Sequence, residues 1–210
     1  MATGGHVKAL LNLGLHDPNI IGRPNVVTTL MEDTSGPWME YFAHKDARDQ
    51  QGQFMADAYL SLIKGRTIIA EAPTGLGKTA ASLASALAAM KQSENVKKIL
   101  FLTGRQSQHK IVIDTVRKLN DNRKDHPNVA IVDLIGRESM CGKLTIDRQC
   151  FCEEGVSEKA RGGRRSQLKR WILEWPRHVE ETVKNGRIEG TCPYMCLSLI
   201  HISEPTRRIE

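Results

Sequence analysis

The 210-residue sequence is poor in aromatic side chains, which make up 5% of it, and no cysteine precedes position 141. With so few aromatic rings, flat surfaces for stacking nucleobases would be few. No apolar run is long enough to cross a membrane. The apolar patch at residues 9–13 is short and lacks a convincing cleavage site, so we expect neither a membrane partner nor a signal peptide.

The five cysteines all fall between Cys141 and Cys196. An odd number of cysteines without a secretion signal argues against a disulfide framework. It predicts free thiols or metal ligands in a reducing compartment. The net charge of +6 and the pI near 9.1 suit a polyanionic partner without identifying one.

Residues 68–79 carry the pattern around which the rest of the chain is organised. They predict a buried strand, then a glycine loop, then the alanine-rich start of a helix. Glycines let backbone N–H groups close around phosphate oxygens, and a helix N-terminus favours their negative charge. Lys78 would reach the β- and γ-phosphates and the Thr79 hydroxyl would hold Mg²⁺. The alternative is a chance glycine turn before a helix.

The remaining patterns predict an α/β fold with a parallel sheet, in which strands and helices alternate. We expect helices at about 48–64, 78–91 and 107–120, and strands at 67–70, 97–103 and 129–134. Ligands bind at the carboxyl ends of such strands, so the P-loop and the polar loop at 103–108 should share one edge. Residues 1–40 predict a loose extension with one short helix near residues 7–13.

The composition changes after residue 136 and predicts a small, mostly helical inserted domain at 137–196. An apolar helical face there ends at Pro176 and comprises Leu168, Trp171, Ile172 and Trp175. Six cations without an acidic residue lie at Lys159, Arg161, Arg164, Arg165, Lys169 and Arg170. Such a run is more often a solvated face than a DNA contact. A hydrophobic core of this size is only marginally stable alone, so the domain needs an additional cross-link.

The candidate metal ligands are Cys141, Cys150, Cys152 and Cys192. Four thiolates hold either an iron–sulfur cluster or a tetrahedral zinc ion. Structural zinc favours paired ligands with two to four residues between them, whereas a single residue separates Cys150 from Cys152. The scattered thiolates therefore favour a cluster, and buried free cysteines are the alternative.

Residues 197–210 look like the translated read-through of a sequencing-library adapter. We therefore expect the natural sequence to stop near Cys196 and the open reading frame to be a truncated fragment. A genuine short apolar tail is the alternative. The fold prediction leaves this segment out.

Together these residues resemble the XPD family of iron–sulfur DNA helicases, in helicase superfamily two, over about residues 42–196. Gln51 stands at the glutamine position of the family's motif before the P-loop. Alanine occupies position 72, where the strict P-loop pattern has glycine. The segments that carry the resemblance are 48–55, 70–79, 103–108, 136–141 and 191–194.

The resemblance implies a 5′ to 3′ DNA helicase that uses ATP, Mg²⁺ and a [4Fe-4S] cluster on single-stranded or forked DNA, with DNA repair as its setting. It implies a partial RecA-like motor domain at 41–136 and a cluster domain at 137–196. The cytoplasm near the nucleoid, or a eukaryotic nucleus, would be its location. ATP would be bound by Gln51, Ala72, Thr74, Gly75, Gly77, Lys78 and Thr79, the last two catalytic, and DNA by Arg105, Gln108, Arg164 and Arg165.

Two departures from the family pattern leave other functions open. The Cys150–Cys152 spacing is tighter than in the family, which puts one middle ligand in doubt. No Asp-Glu-x-His occurs, and Leu134 follows Asp133 where the catalytic glutamate should stand. One alternative is a zinc-stapled, nucleic-acid-binding P-loop protein without motor activity. Another is a P-loop kinase or other NTPase that does not touch DNA.

Overall fold

The computed structural model describes residues 35–94, 96–140, 153 and 155–197, together with the backbone of residues 8–12. The chain divides into two compact units, Met1–Leu102 and Thr103–Glu210. The first unit contains strands β1 (Lys8–Asn12) and β2 (Thr67–Glu71), the 3-10 helix η1 (Pro37–Tyr41), and helices α1 (Asp49–Ile63) and α2 (Lys78–Gln92). The second contains helices α3 (Gln106–Asn122), α4 (Arg137–Met140), α5 (Glu158–Glu174) and α6 (Val179–Ile188).

In the first unit, α1 and α2 pack directly against each other. The contact face of α2 is built from small side chains, among them Ala81, Ala84 and Ala88, all fully or almost fully buried. Alanine favours helix and lets a neighbouring helix approach closely. Met55 of α1 is completely buried, and its carbonyl accepts a 2.9 Å hydrogen bond from the Ser85 hydroxyl. The helices predicted at 48–64 and 78–91 are confirmed.

Among the residues that the structure describes, no two strands pair in parallel, so the predicted parallel sheet is not observed there. β2, predicted at 67–70, is present, but its partner is β1, which runs antiparallel with Lys8 opposite Glu71 and Asn12 opposite Thr67. The short helix predicted near residues 7–13 is therefore wrong. The predicted strands at 97–103 and 129–134 are extended segments without strand pairing.

Two observations explain why those apolar runs are not strands. A strand exists only where a neighbour takes its backbone hydrogen bonds, and sequence propensity does not supply that neighbour. Leu100 and Leu102, expected to be buried on both faces of a sheet, are 74% and 79% exposed. At Val129 the backbone N–H and carbonyl pair with the side-chain amide of buried Asn120, at 2.8 and 3.2 Å, instead of with a strand.

The second unit is a helical assembly around one apolar cluster. Its helix α3 confirms the helix predicted at 107–120, with Val112, Val116 and Leu119 buried as expected. Leu168 and Ile172 of α5 are buried, whereas Trp171 is only partly so. The buried members of the cluster are Met140, Leu168, Ile172, Val179, Val183, Cys196 and Leu197.

The packed core of this unit extends to Leu197, the first residue assigned to the adapter segment, which is fully buried. Residues 198–210 lie outside the described residues, so the adapter assignment stays a prediction. The units divide after Leu102 rather than after residue 136, and the domain boundaries proposed from sequence also stay predictions. None of the described helices combines the length and apolar character needed to cross a bilayer.

Candidate functional site

The loop between β2 and α2 has the backbone conformation that a phosphate cradle needs. Gly75 and Gly77 both have left-handed backbones, with φ of +86° and +83°, a region that glycine enters at little cost. Gly77 is the N-cap residue of α2, and its carbonyl accepts the first intrahelical bond from Ala81 at 3.2 Å. The loop therefore delivers the chain to the helix N-terminus with Lys78 and Thr79 in its first turn.

Lys78 folds back over the loop. Its Nζ donates to the carbonyls of Ala72 and Pro73 at 2.9 and 3.0 Å, and the residue is exposed. These two bonds hold the ammonium group over the loop's own backbone. Thr79 is half-buried, while Thr74 is exposed.

Helix α1 braces the loop at two of its carbonyls. The Arg48 guanidinium donates from Nη1 to the Gly75 carbonyl at 2.6 Å. The Gln51 amide donates from Nε2 to the Gly77 carbonyl at 3.3 Å, and its Oε1 accepts from the Arg48 backbone N–H at 3.4 Å. Gln51 is 5% exposed. The sequence did not identify Arg48, although its position one helical turn before Gln51 was a usable signal.

A cavity of about 430 Å³ opens beside this loop. Its lining comes from the start of α1 and from the loop tip, and comprises Arg48, Gln50, Pro73, Thr74, Gly75 and Leu76. The cavity therefore combines one cation, one side-chain amide and the glycine backbone. This arrangement can accept a polyanion at the loop and an uncharged group beside α1.

The polar loop predicted to grip a nucleic-acid strand lies at the start of α3. Arg105 is the N-cap residue and is exposed, as are Gln106 and Gln108. The expected shared edge with the P-loop stays a prediction. The next residue, His109, is held through Nδ1 at 2.6 Å by the buried carboxylate of Asp133.

Asp133 also joins two helices of the second unit. Its other oxygen accepts the Val179 backbone N–H at the start of α6, at 3.0 Å. A second contact joins the same two helices: Asp114 on α3 lies 3.1 Å from Nε2 of His178, the N-cap residue of α6. The polar loop at 103–108 leads directly into α3. The contacts of Asp133 and Asp114 connect α3 to the start of α6.

Glu153 organises the segment around Cys192, and no local sequence signal pointed to it. Its Oε1 accepts from the Thr191 hydroxyl at 3.0 Å and from the Cys192 backbone N–H at 3.1 Å. Arg165 donates to both carboxylate oxygens, with the Nε to Oε1 distance at 2.9 Å. Burial alone would raise the pKa of the Glu153 carboxyl, but the hydrogen bonds from Arg165, Cys192 and Thr191 together hold it below its ordinary value.

Of the four candidate metal ligands, only Cys192 is described, and its side chain is buried. The candidates Cys141, Cys150 and Cys152 lie outside the described residues. Among the described residues, no group of three or more cysteine, histidine or carboxylate side chains is placed to bind a metal. Cys196 donates its thiol to the Arg165 carbonyl at 3.4 Å, and burial raises its pKa to about 11. That thiol is a structural group rather than a ready thiolate.

Residues adjacent in sequence to two of the undescribed cysteines have contacts with, or near, the Thr191–Tyr194 segment. Met140, which precedes Cys141, lies in the cluster against which Tyr194 packs, and the Arg137 guanidinium lies 5.8 Å from the Tyr194 ring centroid. Glu153, which follows Cys152, contacts Cys192 directly.

Three arginine side chains of the basic helix α5 bond to other groups of the protein. Arg165 is engaged by Glu153, and Arg164 donates to the Gly190 carbonyl at 3.4 Å. Arg161 donates through Nε to the Val156 carbonyl at 2.8 Å. Lys159 and Arg170 are exposed on the same helix. The DNA contacts predicted at Arg164 and Arg165 stay predictions. Both side chains make contacts within the second unit, with Gly190 and Glu153 respectively.

Residues 49–144 match the sequence model of the DEAD/DEAH box helicase family. The matched segment includes α1, the P-loop, α2 and α3. The match supports a helicase of superfamily two with a RecA-like α/β domain, a nucleic-acid helicase or ATPase function, and the use of ATP and Mg²⁺. Neither a curated protein nor a solved structure significantly matches the chain.

Proposed function

We propose that this chain is the ATP-binding portion of a DNA helicase, with an iron–sulfur cluster domain following its first motor segment. The observation that carries the proposal is the P-loop, where two left-handed glycines place Lys78 and Thr79 in the first turn of α2. The DEAD/DEAH box helicase match spans the same residues and supports a nucleic-acid motor rather than another P-loop enzyme.

Nucleotide binding would exchange the partners of Lys78. Its Nζ leaves the carbonyls of Ala72 and Pro73 and donates to the β- and γ-phosphate oxygens, a stronger charge-assisted contact. The backbone N–H groups of Gly75 and Gly77 meet the phosphates, and the α2 dipole favours their charge. The Thr79 hydroxyl would hold a Mg²⁺ ion, which would neutralise part of the phosphate charge.

The nucleic-acid path would begin at the start of α3. Arg105 and Gln108 are exposed there and carry the donors that phosphate oxygens and bases accept. The exposed cations of α5, Lys159 and Arg170, lie in the same unit and could add further phosphate contacts. DNA as the substrate and 5′ to 3′ movement rest on the resemblance to the XPD family.

The cluster would be held by Cys141, Cys150, Cys152 and Cys192. The convergence of Met140 and Glu153 on the Thr191–Tyr194 segment supports this ligand set. Coordination of an iron–sulfur cluster by these thiolates would cross-link and stabilise a unit whose apolar core is small. A zinc ion on the same thiolates is the competing occupant.

Two measurements on the complete chain test the proposal. Labelled ATP with Mg²⁺ should bind the protein and be displaced by unlabelled ATP, and a chain that binds no nucleotide would refute the helicase assignment. Metal analysis of anaerobically purified protein should show iron with acid-labile sulfide. The matched variants are Cys192→Ser, which should lower the iron content, and Cys196→Ser, which should not. One equivalent of zinc without sulfide would instead support the zinc-stapled binding protein.

A further inference from the structure

A cavity of about 470 Å³ lies within the second unit and shares no lining residue with the cavity at the P-loop. Its apolar lining comes from Val179, Val183 and Ile188 of α6 and from Ile135, which lies just before α4. Val179 and Val183 belong to the apolar cluster of this unit, and Ile135 packs against that cluster. None of the lining residues is aromatic. The cavity therefore offers aliphatic walls that are continuous with the core.

The walls of this cavity are held in place by the protein's own contacts. Asp133, two positions before Ile135, accepts the Val179 backbone N–H at 3.0 Å and so joins the segment before α4 to the start of α6. Along α6 the lining residues Val179 and Val183 are four positions apart, which places them on one face of the helix. A preformed cavity spares a ligand the cost of ordering it.

Two cations of α6, Lys184 and Arg187, also line the cavity. Both are exposed, and neither side chain has a hydrogen-bond or ion-pair partner among the residues that the structure describes. Glu180 is the one carboxylate in the lining, so positive charge is in excess there. Unpaired cations beside aliphatic walls complement a ligand that carries both negative charge and a flat apolar group.

We propose that this cavity binds an unstacked nucleobase of a single nucleic-acid strand, while Lys184 and Arg187 hold the neighbouring phosphates. This inference rests on the proposed nucleic-acid function and deepens it. Gln106, the first residue of α3, also lines the cavity and belongs to the 103–108 loop that we expect to contact the strand. Since no aromatic ring lines the cavity, the base packs its faces against aliphatic side chains. The exposed Gln106 amide and Ser139 hydroxyl supply hydrogen bonds to its edge.

The experiment compares the affinity of the full chain for two labelled oligomers by fluorescence anisotropy. One is oligothymidylate, and the other has equal length but sugars that carry no base. Both have the same phosphates, so the ratio of the two affinities reports the bases alone, and the original chain should prefer oligothymidylate. Ile188→Ala should weaken oligothymidylate by about fivefold, because the base would cover less apolar area, and should leave the baseless oligomer unchanged. Ile188 is 71% exposed, so the fold should be retained.

Lys184→Gln combined with Arg187→Gln separates the charge from the base. This variant should weaken both oligomers by the same factor and flatten the salt dependence of both, since two phosphate contacts are lost. The matched control for Ile188→Ala is Ile111→Ala. Ile111 lies on α3, is 55% exposed and does not line the cavity, so its replacement should change neither affinity.

Equal affinity of the original chain for the two oligomers would overturn the inference. An Ile188→Ala variant that keeps the original ratio of affinities would do the same. An equal loss in Ile111→Ala would attribute the effect to exposed apolar area in general and would also contradict the assignment to this cavity. Failure of the proposed function has a different signature, since neither oligomer would then bind and both proposals would fall.

Discussion

The buried carboxylate of Glu153 holds the guanidinium of Arg165 in a two-pronged ion pair that links the segment before α5 to the body of that helix. The same carboxylate accepts from Thr191 and from the backbone of Cys192, so one side chain joins three parts of the second unit. Arg165 was expected from the sequence to face DNA. Its contacts show that it also holds the Cys192 segment in place.

Replacing the acid of this pair should destabilise the second unit. Glu153→Gln leaves the Arg165 charge without its partner in a largely buried setting, and we expect a loss of about 2 kcal/mol of unfolding free energy. The value is below that of a fully buried pair because Arg165 is 25% exposed. Urea unfolding of the variant measures the change. The control is Glu189→Gln, on an exposed residue, and an equal effect of both variants would contradict the assigned role.

The second prediction concerns Lys78 and the phosphate cradle. Lys78→Ala should lower the affinity for ATP by at least about tenfold, because a charge-assisted contact to the terminal phosphates is lost. The fold should be retained, since Lys78 is exposed and its ammonium group bonds to carbonyls of the loop itself. Equilibrium binding of labelled ATP measures the change, and unchanged affinity would remove Lys78 from the site.

Lys91→Ala provides the matched comparison for that measurement. This lysine lies in the last turn of the same helix and is exposed. Lys91 carries the same charge as Lys78 but lies at the opposite end of α2. The Lys91→Ala variant should therefore bind ATP with the affinity of the original chain. A comparable loss in both variants would attribute the effect to overall charge.

Local patterns predicted the glycine loop and the helices at 48–64, 78–91 and 107–120 correctly, and non-local pairing explains what they missed. Gly75 and Gly77 adopt left-handed backbones that glycine enters at little cost, so the loop could be predicted from a short stretch. The runs at 97–103 and 129–134 have strand composition, but their pairing depends on distant residues. Asn120, nine positions away, takes the backbone groups of Val129, and no periodicity reveals that.

The candidate site was predictable to a similar extent. Lys78, Thr79 and the glycines follow from one motif. The contact of Gln51 with the Gly77 carbonyl joins positions 26 apart, so the sequence alone did not reveal that Gln51 braces the loop. Glu153 pairs with Arg165 across 12 positions and with Cys192 across 39, and nothing in the local sequence marks it as different from any other acidic residue.

The third prediction tests the nucleic-acid surface of α5. Lys159 and Arg170 are exposed, whereas Arg164 and Arg165 have protein partners whose loss would also disturb the fold. Lys159→Gln combined with Arg170→Gln should weaken binding to single-stranded DNA. Two fewer phosphate contacts would release fewer counterions, so the slope of log affinity against log salt should flatten by about 1.4.

Fluorescence anisotropy of a labelled oligonucleotide over a salt series makes this measurement. The comparison variant is Lys45→Gln combined with Lys124→Gln, which removes the same charge from exposed positions outside α5. That variant should keep the original slope. If the α5 variant kept it as well, the basic run would be a solvated face.

The last prediction follows from the acid that the sequence lacks. In phosphoryl transfer a side chain orients the attacking water, while Mg²⁺ and cations neutralise the developing charge. This chain offers Lys78 and Thr79 for the second task, but Leu134 follows Asp133 where the resemblance places the catalytic glutamate. Asp133 itself is buried, and its oxygens already accept from His109 and from the Val179 N–H. We therefore expect the 210-residue chain to bind ATP without DNA-stimulated hydrolysis. Phosphate release with and without single-stranded DNA measures this, and Lys78→Ala gives the background rate. Stimulated release that disappears in Lys78→Ala would show that another acid in the chain orients the water.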